Sequence, residues 1–124
     1  MGLAEDFKKG LQTLEQEKDT GVITKFFSED ASLKRLTEEE YEGKDGVQTF
    51  WQEYLETFKT QETTFHNTAE MDGVVLLEWR SQGKLPNGKP LDYRGVSVLE
   101  HDGNKVSAFR TYYDSATFVE PEAG

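Results

Sequence analysis

Apolar residues in the first third of the chain return every three or four positions, and the breaks in that rhythm mark the elements. Leu3, Phe7, Leu11 and Leu14 fall on one face of a helix spanning 3–18. Asp19, Thr20 and Gly21 interrupt it. Asp19 or Thr20 can cap a short second helix carrying Val22, Ile23, Phe26 and Phe27, which Ser28, Glu29 and Asp30 close. Residues 31–36 alternate briefly, and 37–46 read as a polar loop with two glycines. Val47, Phe50, Trp51, Tyr54 and Phe58 then restore helical spacing over 46–60, the broadest apolar surface in the sequence.

Beyond Gln61 the period changes to two. Segments 63–70, 74–82, 91–100 and 105–114 read as four strands, and the turns between them carry Asp72-Gly73, Asn87-Gly88 and Asp102-Gly103. In the second of these strands Val75, Leu77, Trp79 and Ser81 point one way, and Val74, Leu76, Glu78 and Arg80 the other. A tryptophan followed by a serine on the inner side implies a sheet curved around a space that passes from dry to polar. Phe109, Thr111 and Tyr113 form the matching inner side of the last strand. Helices followed by an antiparallel meander predict an α+β fold, with the helices covering one face of a bent sheet.

Composition narrows the function classes. The 124 residues form a single domain, 1–124, whose acidic tail 119–124 is expected to fray. With 35% hydrophobic residues, the core must rest on large side chains: eight Phe, five Tyr and two Trp. A net charge of −10 without a basic stripe argues against nucleic acid and anionic membranes as partners. The lack of cysteine excludes disulfides and thiolate chemistry and fits a cytoplasmic location. No apolar stretch has the length of a bilayer span, and the first residues lack the apolar core of a signal peptide. Glu38, Glu39 and Glu40 read as solvated loop carboxylates, so no metal site is expected.

The order of Lys25-Phe26-Phe27-Ser28-Glu29-Asp30-Ala31, Tyr41-Glu42-Gly43-Lys44-Asp45-Gly46-Val47, Val75-Leu76-Leu77-Glu78-Trp79, Gly95-Val96-Ser97-Val98 and Phe109-Arg110-Thr111-Tyr112-Tyr113-Asp114 resembles the SnoaL-like branch of the nuclear transport factor 2-like superfamily. The resemblance covers about residues 4 to 118. It implies a cystatin-like, cone-shaped α+β barrel, its N-terminal helices packed on a strongly curved antiparallel sheet that encloses a pocket. It further implies a homodimer formed through the outer sheet face, with Tyr112 in the interface. The superfamily includes ketosteroid isomerases, limonene epoxide hydrolases, scytalone dehydratases and polyketide cyclases, and also non-enzymatic association domains, so the fold alone assigns no chemistry.

Carried over residue by residue, the usual catalytic acids are missing. The hydrolase positions on the central and last strands fall at Trp79, Ser81 and Thr111, and the cyclase acid also falls at Thr111. The isomerase base falls at Arg35 and its protonated acid near Val96, while the first helix contains no tyrosine. The groups left to line a pocket are Trp51 and Tyr54 from the long helix, Leu77, Trp79 and Ser81 from the central strand, and Phe109, Thr111 and Tyr113 from the last. Arg35 joins them. Arg94 joins as well if Val96 and Val98 face inward, since the three share one side. His66 and Tyr41 are the candidate acid or base groups. Two functions remain open: a cofactor-free isomerase, dehydratase or hydrolase acting on a hydrophobic or weakly anionic small molecule, and a non-catalytic binding or dimerisation module with a vestigial pocket.

Overall fold

Helix α1 spans Leu3–Glu17 and buries Ala4, Phe7, Leu11 and Leu14. It stops where Lys18 turns left-handed at φ 59° and donates its N–H to Leu14 O at 2.8 Å. Asp19 Oδ1 accepts the Gly21 N–H at 2.9 Å and starts α2, Gly21–Thr24. The computed structural model describes residues 2–36 and 39–118, apart from the Thr117 side chain. Thr37, Glu38 and the tail 119–124 therefore lie outside the described residues.

The second helix is shorter than its apolar spacing suggests. Phe26 O accepts the Val106 N–H at 2.7 Å, which draws the chain into the sheet, so Phe27 opens a strand instead of extending the helix. Strand β1, Phe27–Arg35, includes the three polar residues expected to end α2. Strand β2, Tyr41–Glu42, pairs with Ser32 and Leu33 where a loop was expected, and α3, Gly43–Thr57, begins directly after it. Gly43 makes that reversal at φ 75°. Val47, Phe50 and Trp51 are the residues α3 buries.

Strands β3, Thr60–Met71; β4, Val74–Lys84; β5, Pro90–His101; and β6, Val106–Tyr113, form the antiparallel meander. The sheet order is β2-β1-β6-β5-β4-β3, with β1 parallel to β6. The sheet is therefore mixed and open, not a closed antiparallel barrel. A short 3-10 turn, Ser115–Phe118, follows β6.

On β4 the inner residues Val75, Leu77, Trp79 and Ser81 are all buried, as the alternation requires. On β5 the inward set is Leu91, Tyr93, Ser97 and Leu99, so Arg94 and Val96 lie on the exposed outer face. This reverses the inward reading of those two residues. The cause is the register Trp79↔Gly95: the indole covers the inner side of position 95, where a Cβ would come within 2.5 Å of Trp79 Cζ2 and clash with Tyr112 O. Gly95→Ala is accordingly expected to destabilise the fold by about 2–3 kcal/mol, read as a lower urea midpoint. An unchanged midpoint would mean that Trp79 and the Tyr112 carbonyl both give way.

The edge strand β3 is closed by α1. Thr63 turns its backbone groups away from β4, and Glu15 Oε1 accepts its N–H at 2.8 Å while Gln12 Nε2 donates to its carbonyl at 3.1 Å. Unpaired edge groups are thereby satisfied by one helix. The core sits between this helix, α3 and the inner sheet face, with Phe7, Phe27, Phe50, Trp51 and Phe109 packed ring against ring.

Candidate functional site

The aromatic packing stops short of filling the cone. A cavity of about 440 Å³ remains between Leu11 of α1, the inner side of α3 and the concave sheet. Its apolar wall is Phe50, Trp51, Phe58, Trp79, Phe109 and Phe118. The rings of Phe58, Trp79, Tyr93, Tyr113 and Phe118 form a second cluster at one end.

Polar groups enter this wall in three places. At the first, Glu15 is only 5% exposed although it is a carboxylate on a surface helix. Its Oε2 accepts Thr63 Oγ1–H at 2.5 Å and the phenol of Tyr54, and Ser81 Oγ lies 2.6 Å from Thr63 Oγ1. Gln61 Nε2 donates to Tyr54 Oη at 2.6 Å and to Tyr93 Oη at 3.1 Å. Burial raises the carboxyl of Glu15 above its ordinary 4.5, against the lowering pull of the Thr63 and Tyr54 hydrogen bonds. Burial also pushes Tyr54 well above 10, helped by the neighbouring Glu15 charge, and pushes Tyr93 upward. Both phenols therefore keep their protons at neutral pH.

At the second place, Trp79 Nε1 donates to Ser97 Oγ at 2.9 Å, and Ser97 Oγ lies 2.9 Å from Thr111 Oγ1. Strand register brings these groups together, since Ser97 pairs with Thr111 across β5 and β6. At the third, the Arg35 guanidinium lies 4.2 Å over the Phe50 ring and donates to Phe50 O at 3.2 Å and to Glu53 Oε1 at 3.4 Å.

The structure thus brings Arg35, Trp51, Tyr54, Trp79, Ser81, Phe109, Thr111 and Tyr113 to one cavity. Leu77 lies in the core instead of the lining. His66 does not reach the cavity: it is the extra residue of a β-bulge between Phe65 and Asn67, and its side chain is exposed. Tyr41 packs edge-on against Phe50 and donates to Glu53 Oε1 at 2.5 Å, outside the lining. That hydrogen bond is the main reason its phenol is held above 10. Arg94 and Val96 are excluded by strand parity, as described above.

The sequence reading did not place Glu15, Gln61, Thr63, Tyr93 or Ser97 among the polar groups of the site, nor Phe50, Phe58 or Phe118 in its wall. Among the described residues, no three His, Asp or Glu side chains converge as a metal site would need. No helix among them is long and apolar enough to cross a membrane.

Comparison with known proteins supports this architecture. The chain aligns at TM-score 0.82 and 12% identity with an NTF2-like protein of unknown function from Burkholderia pseudomallei, covering 95% of each chain. It aligns at TM-score 0.81 and 18% identity with an NTF2-like protein from Anabaena variabilis, covering 93% of this chain and 89% of the other. A candidate SnoaL-like polyketide cyclase from Jannaschia aligns at TM-score 0.75 and 16% identity over 94% of both chains. No curated protein matches the chain. At these identities the structural likeness speaks for the fold. The SnoaL-like domain model matches residues 10–109, from within α1 to within β6, and the chain therefore belongs to the SnoaL-like domain family.

Proposed function

We propose that this protein binds a flat, largely apolar small molecule in the cavity between α3 and the sheet. The observation that carries this reading is an aromatic-walled space of about 440 Å³ left unfilled in a chain that otherwise packs its rings closely. Such volume and lining suit a small ligand, which would contact ring faces on several sides and meet polar groups at a few points. The candidate SnoaL-like polyketide cyclase from Jannaschia, which shares this fold, supports the same reading.

The lining favours holding a ligand over turning it over by acid–base chemistry. Among the described lining residues, the ionisable groups are Arg35 and the tyrosines Tyr54, Tyr93 and Tyr113. An arginine stays protonated, and the two tyrosines with raised values are poor bases at neutral pH. The test uses the two tryptophans of the wall. Titration with fluorene, a rigid planar hydrocarbon, should quench their fluorescence to saturation at about one ligand per chain. A linear, unsaturable response would show that the cavity does not act as a site.

A further inference from the structure

The two hydroxyl clusters of the cavity differ in how their protons are spent. In the first, Thr63 and Tyr54 both give their protons to Glu15. Ser81, whose Thr63 neighbour has no proton left to offer, donates to Thr63 Oγ1. Tyr93 accepts from Gln61 Nε2. The carboxylate thus draws the protons of Thr63 and Tyr54, and through Thr63 that of Ser81, inward and away from the cavity.

The second cluster is left with a proton. Ser97 Oγ accepts from the indole of Trp79, which has only a donor to give. One hydrogen bond joins Ser97 to Thr111, and it uses one of their two hydroxyl protons whichever of them donates. The other proton has no acceptor among the described residues, and both side chains line the cavity. A hydroxyl proton left over at the cavity wall is available to an acceptor that a ligand supplies.

We infer that the Ser97–Thr111 pair, held by Trp79, is a donor subsite for an uncharged planar ligand bearing a carbonyl oxygen. This rests on the cavity being a ligand site, as proposed above. A carbonyl matches the spare proton because it accepts without bringing a donor of its own. A carboxylate would match less well, since its charge would sit among aromatic rings with Glu15 behind the same wall. Arg35 is the β1 neighbour of Thr111, but its guanidinium lies over the Phe50 ring and already donates to Phe50 O and Glu53.

The experiment compares 9-fluorenone with fluorene, two planar molecules of nearly equal shape that differ by one carbonyl. By the same proton count, Thr111→Val alone leaves Ser97 its own proton, so it should keep fluorenone binding within about twofold. Ser97→Val/Thr111→Val puts methyl groups in place of both hydroxyls. It should weaken fluorenone binding by about three- to tenfold and leave fluorene within about twofold. The carbonyl stretch of bound fluorenone should lie at lower frequency in the wild type than in the double variant. Retained fluorene binding shows in each variant that the fold and cavity are intact. If the double variant changes both ligands equally, or neither, the subsite is overturned while the cavity stands. If the wild type binds neither ligand, the cavity reading fails and the subsite fails with it.

Discussion

Glu15→Ala is expected to lower the stability of the folded chain by about 3–4 kcal/mol, because it removes one acceptor shared by three buried donors. Two of the donors are hydroxyls that can rotate. Tyr54 can turn towards Gln61 Oε1, which has no hydrogen-bond partner among the described residues, and Thr63 Oγ1 can turn to Ser81. The Thr63 N–H cannot turn. Thr63 is the buried residue of an otherwise largely exposed edge strand, and its N–H would be stranded in a dry site. Urea unfolding measures the effect, and a loss below about 1 kcal/mol would mean that water replaces the carboxylate.

The same residue has a signature in pH. Folding raises the Glu15 carboxyl above its ordinary 4.5, so the native state holds the proton to higher pH than the unfolded chain does. The stability this provides is fully present below 4.5 and is lost as pH rises through the folded value. Comparison with Glu15→Gln isolates it. Asp92, held below 3.8 by its hydrogen bond to Arg80, and Asp102, held below 3.8 by backbone N–H donors of Lys105 and Asn104, titrate alike in both proteins and cancel. The stability of the wild type relative to Glu15→Gln should therefore fall as pH is raised from about 4.5 towards neutrality. A difference that grows over that range would mean that the three hydrogen bonds outweigh burial and hold the carboxyl below 4.5.

Glu15 also shows how far the sequence could be read. The series Leu3, Phe7, Leu11 predicts the buried face of α1, and the next place at the same spacing is 15. A carboxylate at that place looks like the end of an apolar stripe when it is in fact the stripe's buried polar anchor. The signal was present as a charge in an apolar register, but its partners Thr63 and Tyr54 lie 48 and 39 residues away and no local pattern joins them. Strand β5 was ambiguous for a different reason. Leu91 and Tyr93 alternate with Asp92 and Arg94 in favour of one side, whereas Val96 and Val98 favour the other. Gly95 decides between them, because only glycine fits beneath the Trp79 indole. On β4, where apolar and polar residues do not compete in this way around Trp79, alternation was enough. The parallel pairing of β1 with β6 and the bulge at His66 depend on tertiary register and leave no periodic trace.

Phe7→Ala should cost about 3–5 kcal/mol, and its effect on binding should separate the core from the cavity. Phe7 is 1% exposed and meets Phe26, Phe27, Trp51 and Phe109 at ring centroid distances of 5.8 to 6.4 Å. It does not line the cavity. Truncation therefore opens a closed void among rings anchored on β1, α3, β6 and the turn before β1, and those rings cannot collapse together without shifting α1 or α3. Phe109 occupies the other side of the same cluster but faces the cavity, so Phe109→Ala would enlarge an existing space instead of creating a new one. Fluorene affinity should stay within about twofold in Phe7→Ala and change in Phe109→Ala. Urea unfolding and tryptophan quenching measured on the two variants read both quantities. Equal loss of fluorene binding in both would mean that the ring cluster and the cavity wall are a single deformable unit, and that the walls of the proposed site are set by packing as far away as α1.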